Sequence, residues 1–584
     1  MTDATFAHRF RLRSPNATAV WLCLFDEADQ ETRIPMTRAG DDWSTDHPTP
    51  PGTRYGYRAA GEPPFDVSKL LVDPAATHLD RPFAYDPRLG TSGIDTAALV
   101  PKAIVTHLPP PNSLRPPVFR PGGLIYELNV RGFTMLHPEV PADQRGTVAA
   151  LAHPAIIAHL HKLGVNAVEL MPIVAWIDER HLPPLGLSNA WGYNPVVPMA
   201  LDPRLCPGGM AELRATVAAL RTAGIGTILD LVFNHTGESD LAGPTMSFRG
   251  LDDAVYAKAP DGTLINDAGT GNTLDFGYPA VRNMTLETLR HFVAQAGVDG
   301  FRFDLAPILA RSPGFDPTAP IFAAIAADPL LADRIMIAEP WDIGPGGYQL
   351  GAFPPTWLEW NDRFRDDLRR FWRGDGSAGA LATRLAGSTD VFGAAHTRTV
   401  NFVAAHDGFT LADTIAYATR HNEANGEGNR DGHADEVSWN AGREGQGRSE
   451  DVRALLATLF AARGTIMLTA GDEFGRTQRG NNNAYAQDNA ISWLDWSTRD
   501  RELEDYVAGL AAWRRTHPAI SDPAIRHDTA WLRLDGARMQ PHDWAHASGF
   551  VMQLPEGASV RIDRNAGSVR NGVSFAAGSD TSHP

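Results

Sequence analysis

The sequence predicts an α/β protein built as a (β/α)₈ TIM barrel, with an N-terminal β-sandwich and a small C-terminal β domain. Three observations support this fold class. Between residues 124 and 470, short aliphatic strands alternate with helical segments, and eight strands can be assigned. On either side of this region, short apolar segments alternate with turn residues. With 584 residues, the chain is too long for a single hydrophobic core.

The sequence also predicts where the domains begin and end. Residues 1–100 are predicted to form the β-sandwich, in which Ala19–Phe25 has the apolar composition of a strand. Residues 101–123 contain seven prolines, which predicts a stiff, extended linker. The barrel is assigned to residues 124–497, and residues 498–584 are predicted to form the C-terminal β domain.

The eight barrel strands are predicted from short runs of β-branched and aliphatic residues. They are assigned to residues 124–129, 165–171, 225–233, 300–304, 334–339, 356–360, 399–405 and 465–470. The insertion at 234–279 and a second one at 406–450 would both lie on the catalytic face of a barrel. A doubly wound sheet would instead need a glycine-rich phosphate turn after the first strand, and Arg131-Gly-Phe is not one.

Composition limits the partners and the compartment of the protein. A formal net charge of −17 disfavours nucleic acid and favours a neutral or cationic substrate. No apolar run is long enough to span a membrane. The N-terminus has an acid at Asp3 and no apolar core, and two cysteines do not make a disulfide framework. We therefore expect a cytoplasmic protein, and the sequence does not indicate its oligomeric state.

The fourth predicted strand, Gly300–Asp304, ends in a carboxylate. Arg302 and Asp304 are two residues apart and share one face of the strand, which inside a barrel is the interior. Neither ion would be stable there without a partner. Taken alone, the pair is either a structural ion pair or a working carboxylate with its counter-ion, and the structural interpretation is favoured.

Other predicted strands also end in polar side chains, and these bear on the choice between the structural and the functional interpretation. Strand three is followed by His235, strand five ends at Glu339, and strand seven is followed by His406 and Asp407. In TIM barrels, active-site residues lie at the carboxyl ends of the strands. Packing alone does not explain three carboxylates and two histidines at these positions, so the functional interpretation is favoured.

Strand-end carboxylates without a metal-ligand motif are typical of glycoside hydrolysis. This reaction needs a nucleophile or base, an acid with a raised pKa, and negative charge near an oxocarbenium-like transition state. Arg302 is placed to keep Asp304 ionised, and neutral histidines would donate hydrogen bonds to sugar hydroxyls. Metal-assisted hydrolysis is the alternative, but His235 and His406 lie on different strands without metal-ligand spacing. No cofactor is expected, and a calcium site has no support in the sequence.

Four segments around these residues resemble the four conserved regions of the α-amylase superfamily, in the same order. They are Asp230–His235, Gly300–Asp304, Ala338–Trp341 and Phe402–Asp407. Further segments resemble the bacterial glycogen-debranching enzymes, close to isoamylase, namely 186–195, 345–354, 421–432 and 480–489. The resemblance extends from about Ala19 to Trp496. It implies a TIM-barrel glycoside hydrolase behind a carbohydrate-binding β-sandwich.

The resemblance also implies roles for single residues. Asp304 matches the nucleophile that forms a covalent glycosyl-enzyme, Glu339 the general acid/base, and Asp407 the third carboxylate, which stabilises the transition state. The residues implied to bind the substrate are Tyr193, which stacks under the reacting sugar, His235, Arg302, His406 and Trp341. Asp230 is expected to be a structural partner of Arg302. A retaining mechanism predicts that the carboxyl groups of Asp304 and Glu339 lie roughly 5–5.5 Å apart.

Three functions remain to be compared at this point. The leading hypothesis is hydrolysis of α-1,6 branch linkages in a branched α-glucan, glycogen or a limit dextrin. The second keeps the same site but transfers the glycosyl group to another sugar, as a branching enzyme or 4-α-glucanotransferase does. The third is a glycan-binding protein with an inactive barrel, which the intact Asp304, Glu339 and Asp407 argue against. The context of Trp341 and the run 481–489 favour debranching.

Overall fold

The computed structural model describes residues 7–566 and 572–576. Residues 1–6, on which the argument against a leader peptide rests, and residues 567–571 and 577–584 of the predicted C-terminal domain lie outside the described residues. None of the helices in the described part of the chain has the length and apolar character needed to cross a membrane. The predicted fold class is confirmed, since a closed eight-stranded barrel lies between N-terminal and C-terminal antiparallel sheets.

Two antiparallel sheets form the N-terminal domain. Its strands are β1 (Ala7–Arg13), β2 (Ala19–Phe25), β3 (Glu31–Pro35), β4 (Thr37–Ala39), β5 (Asp42–Pro48), β6 (Arg54–Ala60) and β7 (Ala103–Ile104). One sheet has the order β1-β5-β4 and the other the order β3-β2-β6-β7. Val20 and Leu22 alternate along β2, are buried, and lie in one apolar cluster with Tyr57 of β6. The period of two in the sequence therefore builds this core.

Eight parallel strands close into the barrel, and an antiparallel pair is inserted after the second of them. The strands of this region are β8 (Leu124–Leu128), β9 (Ala167–Leu170), β10 (Val174–Trp176), β11 (Pro195–Leu201), β12 (Gly226–Leu231), β13 (Gly300–Phe303), β14 (Ile335–Ala338), β15 (Leu358–Asn361), β16 (Thr399–Asn401) and β17 (Thr465–Thr469). The inserted pair is β10 and β11, and β17 pairs with β8 to close the barrel. Because all eight barrel strands are parallel, their carboxyl ends meet at one face.

Helices surround the barrel, and short helices lie within its loops. In the described residues they are α1 (Val130–Thr134), α2 (Pro154–Lys162), α3 (Gly209–Thr222), α4 (Phe248–Leu251), α5 (Pro279–Ala296), α6 (Pro320–Ala327), α7 (Asp362–Arg373), α8 (Ala378–Leu385), α9 (Thr389–Phe392), α10 (Leu411–Thr414), α11 (Ser449–Phe460), α12 (Arg501–Thr516) and α13 (Pro518–Ser521). Helix α5 ends at Gly297, whose φ of 78° is the left-handed conformation of a helix cap. Leu289, Phe292 and Val293 bury its apolar face in the main core, which fixes the start of β13.

The domain boundaries differ from the prediction at two places. Residues 103–104, predicted as linker, form β7 and pair with β6, so the N-terminal sheet continues beyond residue 100. Residues 501–516, predicted as part of a β domain, form α12, which packs on α11. Its buried residues Leu503, Val507 and Leu510 are spaced three or four apart, which is the period of a helix and not of a strand.

The C-terminal sheet has four antiparallel strands in sequence order. They are β18 (Ala530–Leu532), β19 (Gly549–Gln553), β20 (Ser559–Asp563) and β21 (Val573–Ala576). Phe550, Val560 and Ile562 are fully buried and belong to the same apolar cluster as the barrel helices. The sheet is therefore packed onto the barrel by a continuous core.

We expect the substitution Gly300→Ala to destabilise the barrel. A Cβ atom at Gly300 would lie 2.1 Å from the carbonyl oxygen of Ile335, on the neighbouring strand. Relieving this overlap requires separating β13 from β14, at a cost of about 1–3 kcal/mol. Thermal unfolding followed by circular dichroism should show a lower midpoint.

Gly509→Ala is the matched control for this variant. Gly509 lies in α12, and apart from the backbone of this helix no atom of the described residues lies within 4 Å of a Cβ added there. The control should be as stable as the native chain or more stable, because alanine restricts the unfolded chain and favours a helix. Equal stability of the two variants would contradict the close approach of β13 and β14.

Candidate active site

Four ionisable side chains meet at the carboxyl ends of β12, β13 and β14. Arg302 lies at the centre, and its side chain is fully buried. Its Nη1 atom lies 2.9 Å from Asp230 Oδ2 and 3.0 Å from Asp304 Oδ1, and its Nη2 atom lies 3.1 Å from Glu339 Oε2. Asp230 is in register with Arg302 on the adjacent strand, as expected for its structural partner. Three carboxyl groups thus share one cation. Their contacts with Arg302 offset the cost of removing its guanidinium from water.

Asp304 is held in place at the end of β13. Its backbone N–H donates to the carbonyl oxygen of Leu231 on β12, at 3.2 Å. Its Oδ2 atom accepts a hydrogen bond of 2.7 Å from Nδ2 of Asn234, while Oδ1 accepts one from Arg302. Each carboxylate oxygen therefore has a donor, and the two donors fix the orientation of the carboxylate. The side chain is 13% exposed, which leaves one side open to a ligand.

Glu339 follows β14 and has a different environment. Its side chain is 5% exposed, and its Oε2 atom accepts a hydrogen bond of 2.7 Å from the backbone N–H of Leu305. The φ of 41° at Leu305 is a left-handed conformation at the residue that makes this contact. Burial raises the pKa of Glu339 to about 8, Asp304 adds to this effect, and Arg302 opposes it. Glu339 therefore keeps its proton near neutral pH, as a general acid must.

His406 is held as a cation by an ion pair with Glu127, which lies on β8, two strands away from β16 around the barrel. Its Nδ1 atom lies 2.7 Å from Oε1 of Glu127, the residue before Leu128 at the end of β8. The Oε2 atom of the same carboxylate accepts a hydrogen bond of 2.9 Å from Thr469. Although burial acts in the opposite direction, Glu127 raises the pKa of His406 to about 9. The expectation of a neutral histidine is therefore wrong for His406. The sequence did not indicate the charge because the counter-ion, Glu127, is distant along the chain.

Tyr193 connects this ion pair to the group around Arg302. Its ring stacks on that of His406, with centroids 4.8 Å apart and an angle of 22° between the planes. Its hydroxyl donates a hydrogen bond to Asp230. The guanidinium carbon of Arg302 lies 5.8 Å from the Tyr193 ring and 4.4 Å from the ring of Trp360. The aromatic rings thus enclose the cation without competing for its hydrogen bonds.

His235 is buried and orients Asn234. Its Nδ1 atom donates to the amide oxygen of Asn234, so the amide nitrogen of Asn234 points to Asp304. Burial lowers the pKa of His235 to about 4, which makes the ring neutral. Its Nε2 atom is buried and has no hydrogen-bond partner among the residues that the structure describes. His235 therefore acts on Asp304 through Asn234.

Asp407 lies beyond the end of β16, on the open side of the site. Its side chain is 28% exposed, and Nε2 of His433 lies 3.6 Å from its Oδ2 atom. Burial acts to raise its pKa, but His433, His406 and Arg365 together hold the pKa of Asp407 well below its usual range. Asp407 therefore places a negative charge where a ligand would enter.

The other predicted site residue, Trp341, is partly buried and packs against an apolar cluster that includes Ile337. Sequence reasoning missed Asn234, Glu127 and His433. Asn234 lies within the segment Asp230–His235, where the resemblance implied no role for it, and a polar side chain inside an apolar strand was the available signal for Glu127. His433 had no such signal, because its contact depends on how two loops meet.

The fold and these carboxyl groups define a TIM-barrel glycoside hydrolase of the α-amylase superfamily. Residues 4–76 match carbohydrate-binding module 48, the isoamylase N-terminal domain. The pullulanase of Anoxybacillus sp. LM18-11, in its maltotetraose complex, has a TM-score of 0.73 at 24% identity, over 99% of this chain and 86% of that one. The pullulanase from Paenibacillus barengoltzii, in complex with maltohexaose and alpha-cyclodextrin, gives 0.72 at 22% identity, over 99% and 94%. At these identities the two structures show a shared fold.

Relatives of higher sequence identity show which family within this superfamily the chain belongs to. The glycogen debranching enzyme of Serratia proteamaculans (strain 568) is 46% identical over 577 residues, which cover 92% of this chain and 85% of the relative. The glycogen debranching enzyme of Yersinia enterocolitica is also 46% identical, over 583 residues that cover 93% of this chain and 88% of the relative. The chain belongs to the glycogen debranching enzyme family.

We expect Glu127→Gln to lower the pKa of His406. Glutamine keeps the size of the side chain but removes the negative charge that holds the imidazole protonated. The pKa of His406 should fall from about 9 to about 6.5 or lower. NMR titration of ¹³C-labelled histidine measures this change. Glu359→Gln is the control, since Glu359 is also buried at a barrel strand but pairs with Arg398; an unchanged His406 titration in Glu127→Gln would contradict the assignment.

Proposed function

We propose that the protein is a retaining glycoside hydrolase that cleaves α-1,6 branch linkages of glycogen or a limit dextrin. The observation that carries the proposal is the shared contact of Asp304 and Glu339 with Arg302. Asp304 is open to a ligand on one side, whereas Glu339 is bound by a backbone N–H and keeps its proton. Relatives named glycogen debranching enzyme support the choice of linkage.

The first step of the proposed reaction forms a covalent intermediate. Asp304 attacks the anomeric carbon of the branch point while Glu339 transfers its proton to the leaving glycosidic oxygen. The C–O bond breaks, the remaining chain departs with a new hydroxyl group, and the branch stays attached to Asp304 as an ester. Asn234 and Arg302 orient the Asp304 carboxylate for this attack.

The second step regenerates the free enzyme. Glu339, now ionised beside Arg302, takes a proton from a water molecule, whose oxygen attacks the same anomeric carbon. The ester bond breaks, the branch leaves with a reducing end, and Asp304 returns to its carboxylate form. Both displacements occur at one carbon, so the configuration of the sugar is retained.

The surrounding residues would bind the sugar at the point of cleavage. Asp407 would accept hydrogen bonds from ring hydroxyls and stabilise the positive charge that develops in the transition state. The imidazolium of His406 would donate to a hydroxyl group, and the stacked ring of Tyr193 offers an apolar face. His235 and Trp341 complete the proposed substrate-binding set.

Transfer to a second sugar is the competing function, because it uses the same covalent intermediate. Incubation with a phosphorylase-limit dextrin separates the two reactions. Hydrolysis produces new reducing ends and short linear chains, whereas transfer rearranges chain lengths without new reducing ends. We expect new reducing ends, and an unchanged dextrin would indicate a glycan-binding protein.

We expect Asp304→Asn to lower kcat on limit dextrin by on the order of a thousandfold or more, because the nucleophile is lost. The fold should be retained, since asparagine still fills the site between Asn234 and Arg302. Asp316→Asn is the control: Asp316 is exposed, and its carboxylate accepts hydrogen bonds from the backbone N–H and the hydroxyl group of Thr318, within its own turn. Activity of Asp304→Asn near that of the control would overturn the assignment of the nucleophile.

The pH dependence of kcat/KM should reflect Glu339. Its proton is needed in the first step, so kcat/KM should fall as pH rises through about 8, the raised pKa of this carboxyl group. The pH profile of kcat/KM on limit dextrin measures this limb. Burial also raises the pKa of Asp472, to about 7, outside the proposed site, so Asp472→Asn serves as the control and should leave the limb in place. An alkaline limb that moved in Asp472→Asn would count against Glu339.

A cytoplasmic location is part of the proposal. Cys23 and Cys206 are both buried free thiols, as is usual for proteins of a reducing compartment. Fractionation of cells that express the protein tests this point, and recovery with secreted or periplasmic marker enzymes would contradict it.

A further inference from the structure

Asp407 has weaker support than the other two carboxyl groups of the site. Asp304 and Glu339 each contact Arg302 and a second donor. In the described part of the chain, the only ion pair of Asp407 is the one with His433, at 3.6 Å. A carboxylate that meets a sugar in one orientation gains from being oriented before the sugar arrives.

One buried asparagine fixes the backbone beside both members of this pair. Asn482 is 1% exposed, and its carbonyl oxygen accepts a hydrogen bond of 2.9 Å from Gly408, the residue after Asp407. Its side-chain Nδ2 atom donates to the carbonyl oxygen of His433, also at 2.9 Å. Two further bonds of 2.9 Å join Asn482 to Asn422. The separation of Asp407 and His433 is therefore set by Asn482, which lies between two loops.

The charges around the pair favour a protonated His433. The charged groups that face His433 are Asp407, Glu436 and Arg365. Those that face Asp407 are His433, His406, Arg365 and Glu339. The contact with Asp407 raises the pKa of His433, and Glu436 adds to this effect, whereas burial and Arg365 oppose it. The side chain of His433 is 54% exposed, so its proton exchanges with solvent.

We propose that His433 is a positioning residue for Asp407, which it orients until sugar hydroxyls take its place. The inference rests on the proposed function only in assigning Asp407 to the sugar-binding group. A separation of 3.6 Å is long for a hydrogen bond, so hydroxyl groups of a sugar can compete for the same oxygen. The exposed position of His433 allows the side chain to move aside without disturbing the core.

We expect His433→Gln to reduce kcat/KM on limit dextrin about tenfold, the effect of one charge-assisted contact. The acid limb of the pH profile should move to higher pH, because Asp407 loses a cation that favours its charged form. A residue that only supported the loop would not shift this limb. The matched control is His421→Gln, since His421 belongs to the same loop and pairs with Glu444 at 3.7 Å. The control should keep both kcat/KM and the acid limb.

A second measurement does not depend on activity. NMR titration of His433 should give a lower pKa in Asp407→Asn than in the native protein. If the native protein fails to cleave limit dextrin but shows this difference, the proposed function is wrong and the His433–Asp407 pair stands. An acid limb that stays in place in His433→Gln, equal losses in the two histidine variants, or an unchanged His433 titration would overturn the inference.

Discussion

The buried guanidinium of Arg302 is the interaction on which the proposed chemistry depends. A cation inside the barrel must be balanced by groups that are also out of water, and Asp230, Asp304 and Glu339 surround it. Three ionised carboxylates around one cation would leave a net negative charge in a poorly polarisable interior. Burial raises the pKa of Asp230 to about 6 and that of Glu339 to about 8. A protonated Glu339 beside Asp304, the proposed nucleophile, therefore follows from the limit on negative charge inside the barrel.

The same constraint explains the next group of side chains. His406 is a second cation, and Glu127 balances it. Glu169 lies on β9, between the strands that carry Glu127 and Asp230. Both of its carboxyl oxygens are buried without a hydrogen-bond partner in the described residues, and burial raises the pKa of Glu169 well above its usual range. A neutral Glu169 separates the two ionic groups without adding another negative charge.

The parts of this site that could be predicted from the sequence are local ones. Arg302 lies on β13 and Asp304 directly follows this strand, and the alternation of side chains along a strand is enough to place both on its interior face. Glu127 was missed because its partner His406 is 279 positions away, and no periodicity indicates which strand ends meet across a barrel. Helix α12 is a different case. The spacing of Leu503 and Val507 is helical, but the strands predicted further along the chain favoured a β domain for the whole segment.

The three carboxyl groups of the site are held by different parts of the fold, so bond cleavage and substrate preference depend on different segments. Asp304 and Glu339 are fixed to β13 and β14 through Arg302, so their relation depends on the barrel and not on its loops. Asp407 is instead oriented from the loops that converge on Asn482. Loops accept changes that strands do not. Changes in the 406–450 and 480–489 segments would therefore alter how a glucan is held, while the distance between Asp304 and Glu339 stays the same. A selective hydrolase needs this separation, because discrimination between linkages must change without loss of the charge balance around Arg302.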